Sequence, residues 1–132
     1  MTRTLLLLIL IAALLAGCEA KPTAPATPSA DYDIKGNITE ILRGDGQPKG
    51  VLGRIRIEGE KTADNRYDKA VVAVTKSTRI WAKTADGYVS ATWADLQFGA
   101  LVTARFTGPV RESYPVQADA AEIVILVRIP RQ

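Results

Sequence analysis

The side chains able to do chemistry in this chain are few, and their spacing assembles no familiar catalytic set. The 132-residue sequence has no His and one Cys, which excludes Ser-His-Asp triads, Cys-His dyads and His-ligated metal sites. Ser77, Ser90 and Ser113 have no His to activate them, and no S-x-x-K dyad occurs. One cysteine also excludes an internal disulfide and a multi-Cys zinc site. The sequence therefore predicts a protein that is not an enzyme and that carries no metal or cofactor.

The one cysteine, Cys18, follows an apolar segment at the N-terminus. Arg3 supplies positive charge, residues 5–16 are apolar, and Leu15-Ala16-Gly17 leads directly to Cys18. The apolar run is shorter than the roughly 20 residues that span a bilayer, but it suits the core of a signal peptide. This order resembles the lipobox of bacterial lipoproteins, which implies cleavage before Cys18 and attachment of acyl chains such as palmitate. The alternative is an ordinary secretory signal with a chance cysteine.

The lipobox resemblance implies a cell-envelope protein held by lipid at Cys18. Two or more acyl chains, at about 0.8 kcal/mol per buried CH₂, give stable anchoring. Residue 19 is Glu and not the Asp that resembles an inner-membrane retention signal. We therefore expect the periplasmic face of the outer membrane in a Gram-negative bacterium. The expected partners are this membrane and an envelope protein or polymer, and nucleic acid is not expected outside the cytoplasm.

The composition divides the chain into three segments. Residues 1–17 are the predicted signal peptide, residues 18–30 are the acylated Cys and a Pro-, Ala- and Thr-rich tether, and residues 31–132 are one β domain. Pro22, Pro25 and Pro28 recur every third residue, which is the period of polyproline II. The tether is therefore a spacer that could extend to roughly 37 Å.

The remaining residues alternate apolar and polar side chains as short strands do. The pattern predicts strands over residues 34–42, 51–58, 70–75, 78–81, 88–90, 101–106 and 122–129, the fourth of which could continue the third. Gly36, inside the first strand, predicts a bulge or a close backbone approach. Thr92 to Asp95 fits a capping box loosely and Gly99 follows, so residues 93–98 predict a helix of one or two turns. Together these elements indicate an all-β fold, a small OB-like, partly closed β-barrel of five or six strands with one short helix.

Two groups of side chains are candidates for recognition. Arg54 and Arg56 share one face of the second strand, and with an aromatic residue such as Trp81 they could bind an anionic envelope polymer. The alternative is an ordinary solvated sheet face. The second candidate is a recognition loop formed by Glu112, Ser113, Tyr114 and Pro115. The alternative there is a structural segment that plugs or crosses the barrel.

The same loop carries a resemblance to a known family. The segments Leu96-Gln97-Phe98-Gly99 and Glu112-Ser113-Tyr114-Pro115 resemble the YobA-like family of small bacterial lipoproteins of unknown function. Looser matches, at Gly36-x-Ile38-x-x-Ile41 and Thr75-x-x-Thr78, extend the resemblance over most of residues 34–127. It implies a small OB-like β domain and a lipid anchor, but no activity. We therefore expect a lipid-anchored, non-catalytic binding or protein-interaction module. A structural or assembly accessory of the envelope is the alternative, and a hydrolase is the least favoured one.

Overall fold

The computed structural model describes residues 17, 27–44 and 46–130, so the predicted signal peptide, Cys18 and most of the tether lie outside the described residues. The described part consists of seven strands and one 3-10 turn. The elements are β1 (Ile34–Arg43), β2 (Val51–Glu58), β3 (Lys69–Thr75), β4 (Arg79–Thr84), β5 (Gly87–Ala91), the 3-10 turn (Trp93–Asp95), β6 (Leu101–Arg111) and β7 (Val116–Val127). No helix in this part of the chain is long and apolar enough to cross a membrane.

The strands form one sheet in the order β3-β2-β1-β6-β7-β4-β5, and β3 also pairs with β7. This extra pairing connects β1, β2, β3, β7 and β6 into a ring in which β3 and β7 run parallel. The first part of β1 pairs with β6 and its later part with β2. The predicted all-β, OB-like fold is thereby confirmed, with seven strands rather than five or six. The two strands outside the ring, β4 and β5, form a hairpin that joins it through β7.

The core lies inside the ring because alternate residues of each strand point inward. On β2, Ile55 and Ile57 are fully buried, while Arg54 and Arg56, which alternate with them, are half-buried. On β7, Ala121 has no partner on β6, because Phe106 pairs with Ala120 and Arg105 pairs with Glu122. This bulge changes the inward-facing residues from even-numbered to odd-numbered positions. Ala118 and Ala120 precede this bulge and Ile123 and Ile125 follow it. The bulge thus turns Glu122 to the outer side of the sheet.

Several predicted elements have different bounds in the structure. Strand β6 continues to Arg111 through mostly exposed residues without a clear apolar alternation, and β7 begins earlier, at Val116, where the buried Ala118 and Ala120 alternate with the exposed Gln117 and Asp119. The predicted helix over residues 93–98 is wrong beyond its first turn, because Leu96 is already extended (φ −76, ψ 117). This conformation lets the fully buried Leu96 side chain join the core. The capping signal is real, since the Asp95 carboxylate accepts the Thr92 N–H at 2.8 Å.

Gly36 is a point of close backbone approach, as its sequence position predicted. A Cβ at this residue would overlap the carbonyl group of Glu58, and a Cβ at Gly59 would overlap the carbonyl oxygen of Lys35. Two glycines therefore let β1 and the end of β2 come together. Asn65 holds the following loop to the same place, since its side chain bonds both the N–H (2.8 Å) and the C=O (3.0 Å) of Lys35.

Candidate binding face

The β2–β3 face is the outer surface formed by Arg54, Arg56 and Glu58 of β2 and by Lys69 and Val71 of β3. These residues are neighbours because Arg56 pairs with Val71 and Glu58 with Lys69 in the antiparallel register. Two ion pairs cross it, Arg56 to Glu40 of β1 at 3.1 Å and Lys69 to Glu58 at 3.7 Å. Arg54 makes no ion pair with any other described residue. The predicted arginine pair therefore lies on a mixed-charge face on which Arg54 is available to a ligand.

Tyr114 lies at the end of this face where β3 begins. Parallel pairing of Val116 with Ala70 brings the loop before β7 next to the start of β3. There the Tyr114 hydroxyl donates to Asp68 Oδ2 at 3.1 Å, and Lys69 Nζ lies 5.9 Å from the ring centroid. The side chain nevertheless remains 70% exposed. Two contacts thus hold the ring in one place while leaving most of it accessible, which suits an aromatic contact surface.

The hydrogen bond to Asp68 raises the pKa of Tyr114 above its ordinary value of 10.0. The charges of Asp68 and Glu58 act in the same direction, and the charge of Lys69 opposes them. Because an anionic acceptor stabilises the protonated phenol, Tyr114 is a hydrogen-bond donor throughout the neutral pH range.

The other residues of the 112–115 loop have simpler surroundings. Ser113 Oγ donates to the carbonyl oxygen of Pro115 at 2.8 Å, which closes the loop on itself. Glu112 is exposed and makes no ion pair within the part of the chain that the structure describes. The Tyr114–Pro115 peptide bond is cis. Glu112, Ser113 and Tyr114 are exposed, and Pro115 is half-buried.

A shallow groove of about 540 Å³ lies beside this loop, between the extended ends of β6 and β7. Thr107, Gly108, Pro109, Arg111, Ala118 and Asp119 line it. It continues the candidate surface from Tyr114 around the β6–β7 hairpin and adds the exposed cation Arg111.

Trp81 does not belong to this surface. It lies on β4 and pairs with Val124 of β7. Arg56 of β2 pairs with Val71 of β3, which in turn pairs with Gln117 of β7. Seven residues of β7 separate these positions, which corresponds to about 23 Å along the strand. The structure therefore brings Tyr114 together with the arginine pair and leaves Trp81 in a different region.

The surroundings of Trp81 include a buried carboxylate that the sequence reading did not single out. Glu122 is 2% exposed, and its carboxylate accepts the indole N–H of Trp81 (3.1 Å) and the backbone N–H of Ser29 (2.8 Å). Arg79 completes the group at 3.5 Å. The sequence did offer a signal for this site, because Glu122 is followed directly by a run of apolar residues. A glutamate at such a position is rarely buried unless it is paired, so a buried, paired carboxylate could have been predicted.

Comparison of the chain with protein-family models, with curated proteins and with solved structures gave no match. The resemblance to the YobA-like family therefore stays a prediction. Among the described residues, no three His, Cys, Asp or Glu side chains gather in a way that could hold a metal ion. The candidate functional site is therefore the β2–β3 face together with Tyr114.

Proposed function

We propose that this protein is a lipid-anchored cell-envelope protein that acts as a non-catalytic binding module on the periplasmic face of the outer membrane. Its ligand is an anionic envelope polymer, with a protein partner as the second possibility. The β2–β3 face and the 112–115 loop form the contact surface. The lipobox at Cys18 supports the location.

The observation that carries this proposal is the state of Tyr114. A tyrosine that is 70% exposed has ordinary freedom to move, yet this one is held by Asp68 and Lys69 on either side. An aromatic ring that is already positioned loses little conformational entropy when a ligand stacks on it. Arg54 and Arg56 lie on the same face, and Arg54, which makes no ion pair with another described residue, supplies positive charge for an anionic chain.

The topology supports the same surface. OB-like domains bind oligosaccharides and oligonucleotides across the second and third strands and the loops that flank them. The β2–β3 face and the 112–115 loop occupy these positions in the ring. Because nucleic acid is not expected in the envelope, a polysaccharide-type polymer is the fitting class.

A capture experiment tests the proposal. A soluble form covering residues 27–132 retains Ser29, whose N–H bonds Glu122, and would be immobilised and exposed to envelope extract. We expect a specific polymer or protein to be retained, and Tyr114→Ala to reduce its capture by about fivefold or more, as loss of a contact hot spot does. Phe98→Ala is the matched control, since Phe98 is an aromatic residue of equal exposure (69%) in the loop before β6.

Two results would contradict a binding role. One is the absence of any ligand retained above background, and the other is an equal effect of Tyr114→Ala and Phe98→Ala. Tyr114→Phe separates binding from a structural role, because it removes the hydroxyl bonded to Asp68 but keeps the ring. A binding module should lose less capture in Tyr114→Phe than in Tyr114→Ala, because the ring remains but is less firmly positioned. A purely structural contact would instead lower the melting temperature in both variants, with no specific capture in the unmodified protein.

A further inference from the structure

The β4–β5 hairpin has an outer face that differs from the rest of the sheet. Its outward positions, set by the pairing of Trp81 with Ser90 and of Lys83 with Tyr88, are Arg79, Trp81, Lys83, Tyr88 and Ser90. This hairpin face carries two aromatic side chains and two cations. The Arg79 side chain is 42% exposed and Tyr88 is 38% exposed. The acidic residue of the hairpin, Asp86, lies in its turn. The buried Glu122 pairs with Arg79 at 3.5 Å, so Lys83 is the hairpin cation that has no ion pair among the described residues.

The chain enters the domain at this same face. The Ser29 N–H bonds Glu122 beside Trp81 and Arg79, and Pro28, Ser29 and Ala30 line a pocket of about 170 Å³ together with Tyr88, Val124 and Leu126. Nine residue steps separate Cys18 from Thr27, so even a fully extended chain reaches at most about 32 Å. Thr27, which adjoins the hairpin face in the chain, therefore lies within about 32 Å of the anchoring residue Cys18.

We propose that the hairpin face lies against the lipid headgroups of the membrane that carries the Cys18 anchor. This inference rests on the proposed lipidation. Trp and Tyr concentrate at membrane–water interfaces because their rings are amphipathic, and Lys and Arg are attracted to anionic lipids. Both features coincide here with the entry point of the tethered chain.

A consequence is a defined orientation of the binding surface. The Ser90–Trp81–Val124 row and the Gln117 end of β7 are about 23 Å apart along the strand. With the hairpin face at the membrane, Tyr114 and the 112–115 loop lie outside the contact area. Tyr114 would then stay accessible to a ligand.

Single-cysteine probes on the mature acylated chain test this orientation. Acylation converts the Cys18 thiol to a thioether, so an introduced cysteine is the one free thiol that a fluorescent label can reach. Ser90→Cys places the label on the hairpin face, and Gln117→Cys, at an equally exposed strand position, places it near Tyr114. In vesicles containing phosphatidylglycerol and a headgroup-level quencher, we expect several-fold stronger quenching at residue 90 than at residue 117.

Equal quenching of the two labels, or stronger quenching at residue 117, would overturn the inference and leave the anchor intact. A mature chain that does not partition into vesicles would instead refute the lipid anchor, and the orientation with it. The two failures are therefore distinguishable in one experiment.

A charge variant gives a second measurement on the same anchored chain. Lys83→Gln removes one cation from the hairpin face and should shift the membrane-contacting state about fivefold toward release, as seen by reduced quenching of the residue 90 label. Lys61→Gln removes an equally exposed cation from the loop between β2 and β3 and should change nothing. An equal response to both substitutions would contradict a specific contact.

Discussion

Replacement of Glu122 by Ala should destabilise the domain far more than its sequence position suggests. The substitution removes the acceptor of the Trp81 and Ser29 donors and the partner of Arg79. Arg79 is 42% exposed, so water can solvate it and its ion pair contributes less than about 1 kcal/mol. The two hydrogen bonds are part-buried, and each donor left without an acceptor costs about 1–2 kcal/mol. We therefore expect a loss of about 2–4 kcal/mol in the free energy of unfolding.

Glu40→Ala is the matched control. Glu40 also lies on a strand and also pairs with an arginine, Arg56, at 3.1 Å, but both side chains are about 40% exposed. Exposed pairs of this kind contribute less than about 1 kcal/mol. The comparison therefore isolates the effect of burial from the effect of losing a glutamate.

Urea and thermal unfolding, followed by circular dichroism, measure both variants. For a domain of this size a loss of about 2–4 kcal/mol lowers the melting temperature by at least about 8 °C, whereas Glu40→Ala should shift it by a few degrees or less. Limited proteolysis should also cut residues 27–30 faster in Glu122→Ala, because the Ser29 contact is lost. Equal shifts in the two variants would refute the reasoning that the buried carboxylate holds the entering chain to the sheet.

Three further predictions concern other parts of the molecule. Gly36→Ala should lower the free energy of unfolding by at least about 2 kcal/mol, because its Cβ would overlap the Glu58 carbonyl. Lys35→Ala, at the neighbouring position, should be tolerated. Equal unfolding midpoints in urea for the two variants would contradict the close approach. Leu96→Ala should lower the free energy of unfolding by about 2–5 kcal/mol, since this side chain is fully buried. Phe98→Ala should change it by no more than about 0.5 kcal/mol, since Phe98 is 69% exposed. A calorimetric measurement that ranks the two variants otherwise would refute this packing. The raised pKa of Tyr114 adds stability below the ordinary tyrosine pKa that is lost as the pH rises through the higher, folded-state value. Alkaline ultraviolet titration, with Tyr114→Phe subtracted, should show a lower midpoint in Asp68→Asn, and an unchanged midpoint would show that Asp68 is not the cause.

The local pattern was sufficient where structure depends on neighbours in sequence. Alternation over residues 51–58 predicted β2 with its inward Ile55 and Ile57, and Gly36 predicted a close approach that the structure contains. The Thr92–Asp95 pattern predicted the capping contact. The strand period and the capping contact are decided by side chains within a few residues. Gly36 predicted that another backbone comes close, but only the fold shows that this backbone is Glu58 of β2.

The same pattern failed where packing overrides local preference. Leu96 leaves the predicted helix because its side chain is buried in the core, and the bulge at Ala121 changes the inward parity of β7. Strand β6 beyond Phe106 contains mostly exposed residues, so no apolar alternation marked it, whereas the start of β7 alternates only through the small side chains of Ala118 and Ala120, which are a weak apolar signal. Backbone hydrogen bonds continue the β6–β7 pairing as far as Arg111 and Gln117.

The sequence by itself predicted the strand character of the domain, the inward-facing residues of its strands and the resemblance to a lipobox at Cys18, because each follows from the order of neighbouring side chains. Only the tertiary structure decided which of these residues meet. Tyr114 contacts Asp68 across 46 positions, and Ser29 contacts Glu122 across 93. Such contacts depend on the β3–β7 pairing and on the bulge in β7, and pairing between distant strands leaves no periodic trace in either strand.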